Sequence, residues 1–382
     1  MKKLVSNVKK DAYTDYIEEA FDLKVEDVCT TEINAWLKPQ SLPDWNIILV
    51  LGASGSGKST VLREIGTISE AHFEGHKPLI SEFSNLSPKE AADLLSAMGL
   101  ASVPSWLHPY EVLSNGERYR ADLAKIISEA KDGDTIIVDE YTSVVDRNVA
   151  FAMSNSLERY VRKHNIKIIL ASCHYDIVDW LRPDYIFDLN KGGALERCDC
   201  LRPRPSISLQ VHRTESDTWF FFKKHHYMTE EMNMGAYCFC FTWDNKLVGF
   251  VSALANPMKG ITNAWRFSRI VVMPDFQGMG IGCQITEFIA SIFKANGLRM
   301  YIKTVNPRLG EYIKKSEKWR ATAMNGKTRT VGWDAEKYPN RLERASYNYE
   351  YIGGETKGYE ELMLPTERMR YNKSMEGQLS LW

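Results

Sequence analysis

A glycine-rich loop between an apolar strand and a helix is the feature that most constrains the fold of this 382-residue chain. The run Asn-Ile-Ile-Leu-Val-Leu precedes Gly-Ala-Ser-Gly-Ser-Gly-Lys-Ser-Thr, and the helical pattern that follows ends at Gly66. Glycines let backbone N–H groups close around phosphate oxygens, Lys58 brings a positive charge to the outer phosphates, and the Ser59 hydroxyl can bind Mg²⁺. The loop therefore predicts an ATP site and an α/β fold. The predicted phosphate contacts are Gly52, Ser54, Gly55, Gly57, Lys58, Ser59 and Thr60.

Changes in the apolar pattern along the chain predict two domains. Continuous β-branched runs alternate with helical stretches in residues 1–197, as in parallel sheets buried on both faces. Residues 198–206 contain Pro203 and Pro205, which favour an extended linker. Looser alternation over residues 207–320 predicts an α+β domain with antiparallel and mixed strands, and residues 321–382 form an extension that would complete this domain or stand apart from it.

Composition narrows the class of protein. With 44% hydrophobic and 25% charged residues and a net charge of -1, the chain is neither disordered nor fibrous, and its net charge alone predicts no nucleic acid or membrane partner. No apolar run approaches the ~18–20 residues that span a bilayer, and the N-terminus lacks the apolar core of a signal peptide. The seven cysteines are expected to be reduced thiols. We therefore expect a cytoplasmic protein without a membrane partner.

Two further motifs complete the nucleotide site. The strand Thr-Ile-Ile-Val ends in Asp139 and Glu140, of which the first would hold Mg²⁺ and the second would polarise the attacking water. Leu113-Ser-Asn-Gly-Glu117 begins a helix and resembles the LSGGQ signature of ABC-type ATPases. Over residues 20–190 the resemblance implies that Ser114 and Gly116 contact ATP, that Asp146 belongs to the D-loop and that His174 is the switch histidine. It also implies a homodimer that encloses two ATP molecules.

The sequence departs from ABC transporters in two ways. The interval between Lys58 and Ser114 is short, and no Q-loop glutamine is found where residues 81–85 read Ser-Glu-Phe-Ser-Asn. In the family this region contacts the membrane permease, so both departures argue against such coupling. The adenine is expected to stack on Phe21, Trp36 or Trp45, of which Phe21 is preferred; a core role is an equal alternative for each.

A second glycine-rich loop follows the strand Phe267–Met273 and Pro274. It carries Gln277, Gly278, Gly280 and Gly282, and apolar residues at helical spacing come next. This pattern resembles motif A of the GNAT acetyltransferases, which implies that the helix N-terminus binds the pyrophosphate of acetyl-CoA. The strand would offer the amide of Val271 or Val272 to the thioester carbonyl. A dinucleotide site is the competing interpretation, but no βαβ unit with a following acid accompanies the loop.

Candidates for proton transfer come from the same resemblance, which covers residues 208–320. Tyr312 matches the tyrosine that protonates the departing thiolate, although a packed tyrosine is an equal alternative. The family's usual glutamate base is absent, because the motif A strand carries Ser268 and Arg269. His226 and Tyr227 are therefore the predicted pair of residues that supplies the general base on the acceptor side. They are similar to the acceptor side of Mom-type phage enzymes. An aromatic helix face with surface histidines is the alternative.

Residues 299–329 contain nine Lys/Arg and two acids, interleaved with aromatic residues. This composition fits a phosphate-facing surface, and a solvated basic face is the alternative.

We predict an ABC-type ATPase coupled to an acetyl-CoA-dependent N-acyltransferase that acts on an amine of a large substrate, with a nucleic acid base as a candidate. Fusions of this architecture occur among bacterial and phage proteins. The alternative is a non-catalytic, ATP-switched clamp with a degenerate GNAT fold.

Overall fold

The computed structural model describes residues 2–33, 36–131, 133–198, 207–226, 231–258, 260–327 and 346–364. The chain divides into two units: the first comprises residues 1–74, 83–87 and 114–205, and the second comprises residues 75–82, 88–113 and 206–382.

The first unit is built on a five-stranded sheet of order β4-β5-β3-β6-β7, parallel except for β7, with a separate antiparallel pair β1-β2. Its strands are β1 Lys2–Asn7, β2 Val28–Ile33, β3 Ile47–Leu51, β4 Thr135–Val138, β5 Lys167–Ser172, β6 Tyr185–Asp188 and β7 Ala194–Arg197. Its helices are α1 Ala12–Phe21, α2 Lys58–Ile65, α5 Asn115–Glu129, α6 Arg147–Lys163 and α7 Ile177–Leu181.

The central strand explains the continuous apolar pattern of this region. β3 lies between β5 and β6, and all five of its residues are buried. Ile48 and Val50 pack with Val61 and Leu62 of α2, so helix and strand share one core. Because parallel strands end at the same edge of a sheet, the segments after β3, β4 and β5 lie at one edge. The glycine loop, Asp139 and His174 all occupy those segments.

The second unit is built on a seven-stranded sheet of order β13-β14-β12-β11-β10-β9-β8. Its strands are β8 Gln210–Thr214, β9 Tyr237–Trp243, β10 Lys246–Ala255, β11 Ala264–Val272, β12 Arg299–Thr304, β13 Trp319–Ala321 and β14 Tyr347–Tyr351. Its helices are α3 Pro88–Ala97, α4 Val103–Trp106, α8 Ile281–Ala295 and α9 Pro307–Lys315. All neighbouring strands are antiparallel except β11 and β12. The predicted antiparallel and mixed arrangement is therefore confirmed.

The two faces of this sheet are covered differently. Ile285, Ile289 and Phe293 of α8 and Ile313 of α9 pack on one face. On the other, Trp219 and Phe222 pack against Phe250 of β10. The segment that holds Trp219 consists of two 3₁₀ helical turns, Ser216–Phe221 and Lys223–His225. Spacing of three residues buries Trp219 and Phe222, which is the period of a 3₁₀ helix.

Residues beyond 320 take part in the second sheet, because β14 lies between β12 and β13. No helix in the described part of the chain combines the length and apolarity needed to cross a membrane.

Candidate nucleotide and acyl-transfer sites

The loop after β3 has the backbone that a phosphate cradle requires. Gly57, the N-cap of α2, has a φ of 93°, and Gly55 has a φ of 78°, a region that favours glycine. A Cβ at Gly52 would collide with Ser56 Oγ and lie 3.2 Å from Leu189 Cβ. The first-turn N–H groups of α2 have no carbonyl partner within the helix. Ser59 and Thr60 lie in this turn, and Ser54 lies in the loop before it.

Lys58 folds back over the loop. Its Nζ donates hydrogen bonds to the carbonyl oxygens of Gly52, at 2.9 Å, and Ala53, at 2.7 Å. The ammonium group is thereby held above the loop, where it can exchange carbonyl oxygens for phosphate oxygens.

Asp139 and Glu140 follow β4 at the same sheet edge. The Glu140 N–H donates to Asp139 Oδ1 at 2.8 Å, and Glu140 has a φ of 51° with an exposed side chain. Asp139 is partly buried whereas Glu140 is exposed, and this difference in surroundings suits different roles. The described residues hold no cluster of three metal-binding His, Cys, Asp or Glu side chains. Mg²⁺ fits this donor set nonetheless, since it commonly uses one carboxylate with hydroxyl, water and phosphate oxygens. Ser59 and Asp139 would hold it.

His174 follows β5 and is fixed at two points. Its backbone N–H donates to Ser172 Oγ at 3.1 Å, and its Nδ1 lies 3.1 Å from Thr142 Oγ1. Burial and the charge of Arg147 lower the pKa of His174, so its imidazole is neutral at neutral pH. A neutral ring can donate through one nitrogen and accept through the other.

Sequence reasoning missed Arg147. Its guanidinium pairs with Asp176 and lies 4.9 Å from the centre of the Trp180 ring. Its position directly after Asp146, the predicted D-loop residue, was the sequence feature that could have indicated a place near the nucleotide site.

The signature segment is a helix start. Ser114 is the N-cap of α5: the Glu117 N–H donates to Ser114 Oγ, and Glu117 Oε2 accepts from the Ser114 N–H at 3.1 Å and Oγ at 2.9 Å. Glutamate in place of the family's final glutamine thus completes a capping box. Gly116 lies in the first turn of α5, and Asp146 caps α6 by accepting from the N–H groups of Asn148 and Val149. The ATP contacts of Ser114, Gly116 and Asp146 stay predictions.

The three aromatic candidates for the adenine site differ in exposure. Trp45 is buried in the core of the first unit, and its indole N–H donates to the Pro39 carbonyl. Trp36 packs beside the same core. Phe21, at the end of α1, is 64% exposed. Exposure leaves Phe21 as the candidate with a free ring face.

In the second unit, the loop before α8 resembles the loop before α2. Gly280 is the N-cap of α8 with a φ of 82°, and Gly278 has a φ of 84°. A Cβ at Gly282 would lie 3.5 Å from Val272 Cγ2. Gln277 ties the loop to the strand, because its Nε2 donates to the Val272 carbonyl at 2.7 Å. The first-turn amides of α8 are thus held at the end of β11, as a pyrophosphate site requires.

A cavity opens where β11 and β12 stop pairing. Their parallel pairing covers only Ala264–Arg266 and Arg299–Tyr301. The cavity of about 200 Å³ follows, lined by His226, Phe267, Ser268, Arg269, Ile270, Ile302, Lys303, Thr304, Val305, Asn306 and Leu309. Ser268 is an extra residue in β11, since Ser252 pairs with Arg269 and Ala253 pairs with Phe267. Such a bulge bends a strand and redirects its side chains.

Backbone register decides which strand amides face this cavity. The Met273 N–H donates to the Val248 carbonyl, and Val271 stands opposite Phe250. N–H groups alternate between the two edges of a strand, so the Val271 N–H also points toward β10. The N–H groups of Ile270 and Val272 point the other way, toward the edge that β12 leaves unpaired. Of the two predicted amides, only that of Val272 faces this edge.

His226 is the predicted base that reaches the cavity. Its ring makes an edge contact with Trp219, with the ring centres 5.4 Å apart. Burial and the charge of Arg269 lower the pKa of His226 to about 4, so the imidazole is neutral at neutral pH. Tyr227 lies outside the described residues.

Tyr312 makes a different contact. Its hydroxyl donates to Glu287 Oε1 at 3.0 Å, and the tyrosine does not line the cavity. Burial and the neighbouring Glu287 raise the pKa of Tyr312 to about 12. Glu287 is 6% exposed and also accepts from Lys318 at 2.7 Å. Sequence reasoning missed this acid because it lies within an apolar helix pattern. The role of Tyr312 as an acid stays a prediction.

Comparisons with known proteins give two kinds of relative, acetyltransferases and ATP-binding proteins. Residues 206–311 match the family profile described as "Acetyltransferase (GNAT) family". The lipoprotein-releasing system ATP-binding protein LolD of Ehrlichia chaffeensis is 26% identical over 177 residues, covering 34% of this chain and 74% of that protein.

Solved structures of ATP-binding cassettes and of acetyltransferases are similar to parts of this chain at low sequence identity. The ATP-binding cassette MJ0796 bound to ADP and Pi is 17% identical, covers 41% of this chain and 86% of its own, and gives a TM-score of 0.32. The ribosomal-protein-S18-alanine N-acetyltransferase from Escherichia coli is 12% identical, covers 40% and 97%, and gives a TM-score of 0.30.

Proposed function

We propose that ATP-driven homodimerisation controls acyl transfer from acetyl-CoA to an amine of a large substrate. The chain joins an ABC-ATPase-like region to a GNAT acetyltransferase domain, and both are enzyme types. A small amine could be acylated without an ATPase. A large substrate that must be clamped gives the ATPase a purpose, and a nucleic acid base is our candidate acceptor.

One observation carries the acyl-transfer half of this proposal. The cavity between β11 and β12 lies beside strand amides that point to an unpaired edge, and the same strand leads into the glycine loop of α8. A helix N-terminus for the pyrophosphate and amides for the thioester are thereby built on one strand.

In the ATPase half, Lys58 would bind the outer phosphates, and Ser59 and Asp139 would hold Mg²⁺, which neutralises phosphate charge when it is bound. Glu140 would accept a proton from the attacking water. Ser114 of each protomer would contact the ATP of its partner, which closes the dimer.

In the acyltransferase half, the amine nitrogen attacks the thioester carbonyl. A C–N bond forms, the C–S bond breaks, and the electron pair leaves with sulfur. The amides of Ile270 and Val272 would stabilise the oxyanion. His226 would take the amine proton, and the thiolate would receive a proton from Tyr312 or from water.

A contact within the second unit supports control of one activity by the other. Arg308 at the start of α9 donates to the carbonyl oxygens of Ala92 and Asp93 on α3, each at 3.2 Å, and its guanidinium lies 3.4 Å from Asp93 Oδ1. α3 belongs to the stretch between the glycine loop and the signature. Asn306 and Leu309, on either side of Arg308, line the cavity. Movement of α3 would therefore reach the cavity through α9.

A non-catalytic, ATP-switched clamp is the second candidate. The Tyr312 hydroxyl is engaged by Glu287, and no carboxylate is among the described residues that line the cavity. Both features would suit a site that binds acetyl-CoA without transferring its acyl group.

Release of free thiol from acetyl-CoA separates the two candidates. The full chain is incubated with acetyl-CoA and either a polyamine or mixed-sequence single-stranded DNA, with and without ATP, and the products are examined by mass spectrometry. ATP-dependent acylation supports the enzyme. Acetyl-CoA binding without acyl transfer to any amine supports the clamp.

A further inference from the structure

The sheet face opposite α8 and α9 carries a group of basic side chains. Met300 and Ile302 of β12 point into the core beneath α8. Because side chains alternate along a strand, Arg299, Tyr301 and Lys303 point to the opposite face. In β14, Tyr349 and Tyr351 point into the same core, so Glu350 also lies on the opposite face.

β11 contributes two more cations to this face. Trp265 and Phe267 pack toward α8, which directs Arg266 to the opposite side. The extra residue Ser268 shifts the alternation by one position, and Ile270 again packs toward α8. Arg269 therefore shares the face of Arg266. Without the bulge, Arg269 would point into the core.

Contacts among Arg299, Tyr301, Arg320 and Glu350 link four of these side chains on this surface. Arg299 Nη2 and Arg320 Nη2 lie 2.6 Å and 2.7 Å from the two oxygens of Glu350. Arg299 also lies 5.6 Å from the centre of the Tyr301 ring. We call this surface the basic face and define it as Arg266, Arg269, Arg299, Tyr301, Lys303, Arg320 and Glu350. It carries five cations and one acid.

The basic face continues into the cavity, since Arg269 and Lys303 belong to both. Arg266 and Lys303 are exposed, and the Arg320 side chain is 62% exposed. A ligand on this face would place its anionic groups over Arg266 and Lys303 while a neighbouring group enters the cavity. Tyr301, between them, offers a partly exposed ring.

From these contacts we infer that the basic face binds the phosphate backbone of a single-stranded nucleic acid and feeds one base into the acyl-transfer cavity. Repeated phosphates match cations spread over several strands, and aromatic rings among cations are typical of single-strand binding surfaces. A base in a duplex would first have to be unpaired to enter a cavity of this kind. The inference rests on the proposed function for the acceptor, but binding itself requires no acyl transfer.

The test uses a fluorescent 20-nucleotide oligothymidine and the full chain, with binding measured by anisotropy. Thymine has no exocyclic amine, so binding is observed in the absence of transfer. Arg266→Glu with Lys303→Glu is expected to weaken binding at least ~10-fold at 0.1 M salt. The slope of log K against log salt should fall by about 1.4, for two lost phosphate contacts. Thermal unfolding and ATP binding verify that the variant folds.

The matched control is Lys314→Glu with Lys315→Glu, which reverses two exposed lysines on α9, at the other side of the sheet. This control should bind oligothymidine within about twofold of wild type. Arg266→Gln, outside the cavity lining, should weaken binding by about threefold and guards against misfolding of the double variant. Equal loss in the control, or poly-glutamate competing as well as oligothymidine, would overturn the inference. Wild-type binding without any acylation of DNA would leave it standing and refute the proposed acceptor.

Discussion

Gly57 and Gly280 occupy equivalent positions in two unrelated sites. Each is the N-cap of a helix, each has a positive φ, and each follows a strand of its sheet. Neither cap uses a side chain, so the N–H groups of the first turn remain available to an anion. Residues with a Cβ would strain both turns. The local backbone geometry that would bind a phosphate is thus the same in both units.

Gly280→Leu tests this reading of α8. The substitution places a β-carbon where φ is 82° and crowds the helix N-terminus, so acetyl-CoA affinity should fall at least ~30-fold while ATP affinity stays unchanged. Calorimetry with both ligands measures this. Gly297→Leu is the matched control, because Gly297 has a φ of 72° beyond the other end of α8 and should suffer similar strain without losing acetyl-CoA. Equal acetyl-CoA affinity in the two variants would refute the assignment.

Glu140→Gln tests the proposed base for ATP hydrolysis. The variant should bind ATP normally and hydrolyse it at least ~100-fold more slowly, the order of a lost general base. It should also accumulate as an ATP-bound dimer, seen by size-exclusion chromatography with light scattering. Asp244→Asn, a change in a hairpin turn, should leave turnover intact. Normal turnover in Glu140→Gln would sink this role for Glu140.

The low pKa of His226 predicts the pH profile of acyl transfer. Since burial and Arg269 lower this pKa to about 4, the imidazole stays neutral above roughly pH 5, and the transfer rate should show no His226 limb near pH 6.5. Arg269→Gln removes one of the two causes and should move a rate-limiting protonation toward higher pH. Rate measurements on both proteins from pH 3 to 8 check this, because the wild-type acid limb is expected near pH 4. An unchanged acid limb in Arg269→Gln would contradict the account.

At the scale of elements, α3 and α9 form the contact through which ATP would act on the acyl site. Besides the Arg308 hydrogen bonds, Lys89 of α3 contributes to a lowered pKa at Glu311 of α9, after the larger effect of the Tyr347 hydrogen bond. The contacts that join these helices are therefore those of Arg308, and Lys89 adds only a weak electrostatic effect. Burial lowers the pKa of Arg308 itself, although the arginine remains charged.

Arg308→Ala should uncouple the two activities. We expect ATP hydrolysis and acetyl-CoA affinity within about twofold of wild type, and loss of at least ~5-fold stimulation of acyl transfer by ATP. Lys315→Ala, on the same helix without a contact to α3 among the described hydrogen bonds, is the control. Full stimulation by ATP in Arg308→Ala would show that coupling takes another route.

Elements that carry a motif could be predicted from the sequence, because local residues determine them. β3 with its loop, the start of α5 at Ser114 and the strand before Gln277 all follow from apolar pattern and capping residues. The insertion of β14 between two earlier strands could not be predicted, since strand order depends on long-range pairing. The Tyr312–Glu287 hydrogen bond could not be predicted for the same reason. The residue type identified Tyr312 as a candidate acid, but its contact with Glu287 depends on how α8 and α9 pack.

At the scale of the whole molecule, a net charge of -1 conceals an uneven distribution. The basic face concentrates cations on one surface of one sheet, whereas the net charge alone predicts no nucleic acid partner. The net charge averages over all surfaces of the molecule. The alternation of side chains along β11 and β12 shows which cations share one face of the sheet. The basic composition of residues 299–329 was the sequence signal, although Arg266 and Arg269 lie outside that stretch.

The most direct test of ATP-controlled acyl transfer is the rate at which acetyl-CoA acylates mixed-sequence single-stranded DNA, measured by mass spectrometry with wild type and Ser114→Arg. Arginine at the start of α5 should block closure of the dimer while leaving each phosphate loop intact. We expect ATP-dependent transfer in wild type. In Ser114→Arg we expect loss of that transfer, with acetyl-CoA affinity kept within about twofold. Transfer at the wild-type rate in Ser114→Arg, or in wild type without ATP, would show that the two halves are only tethered.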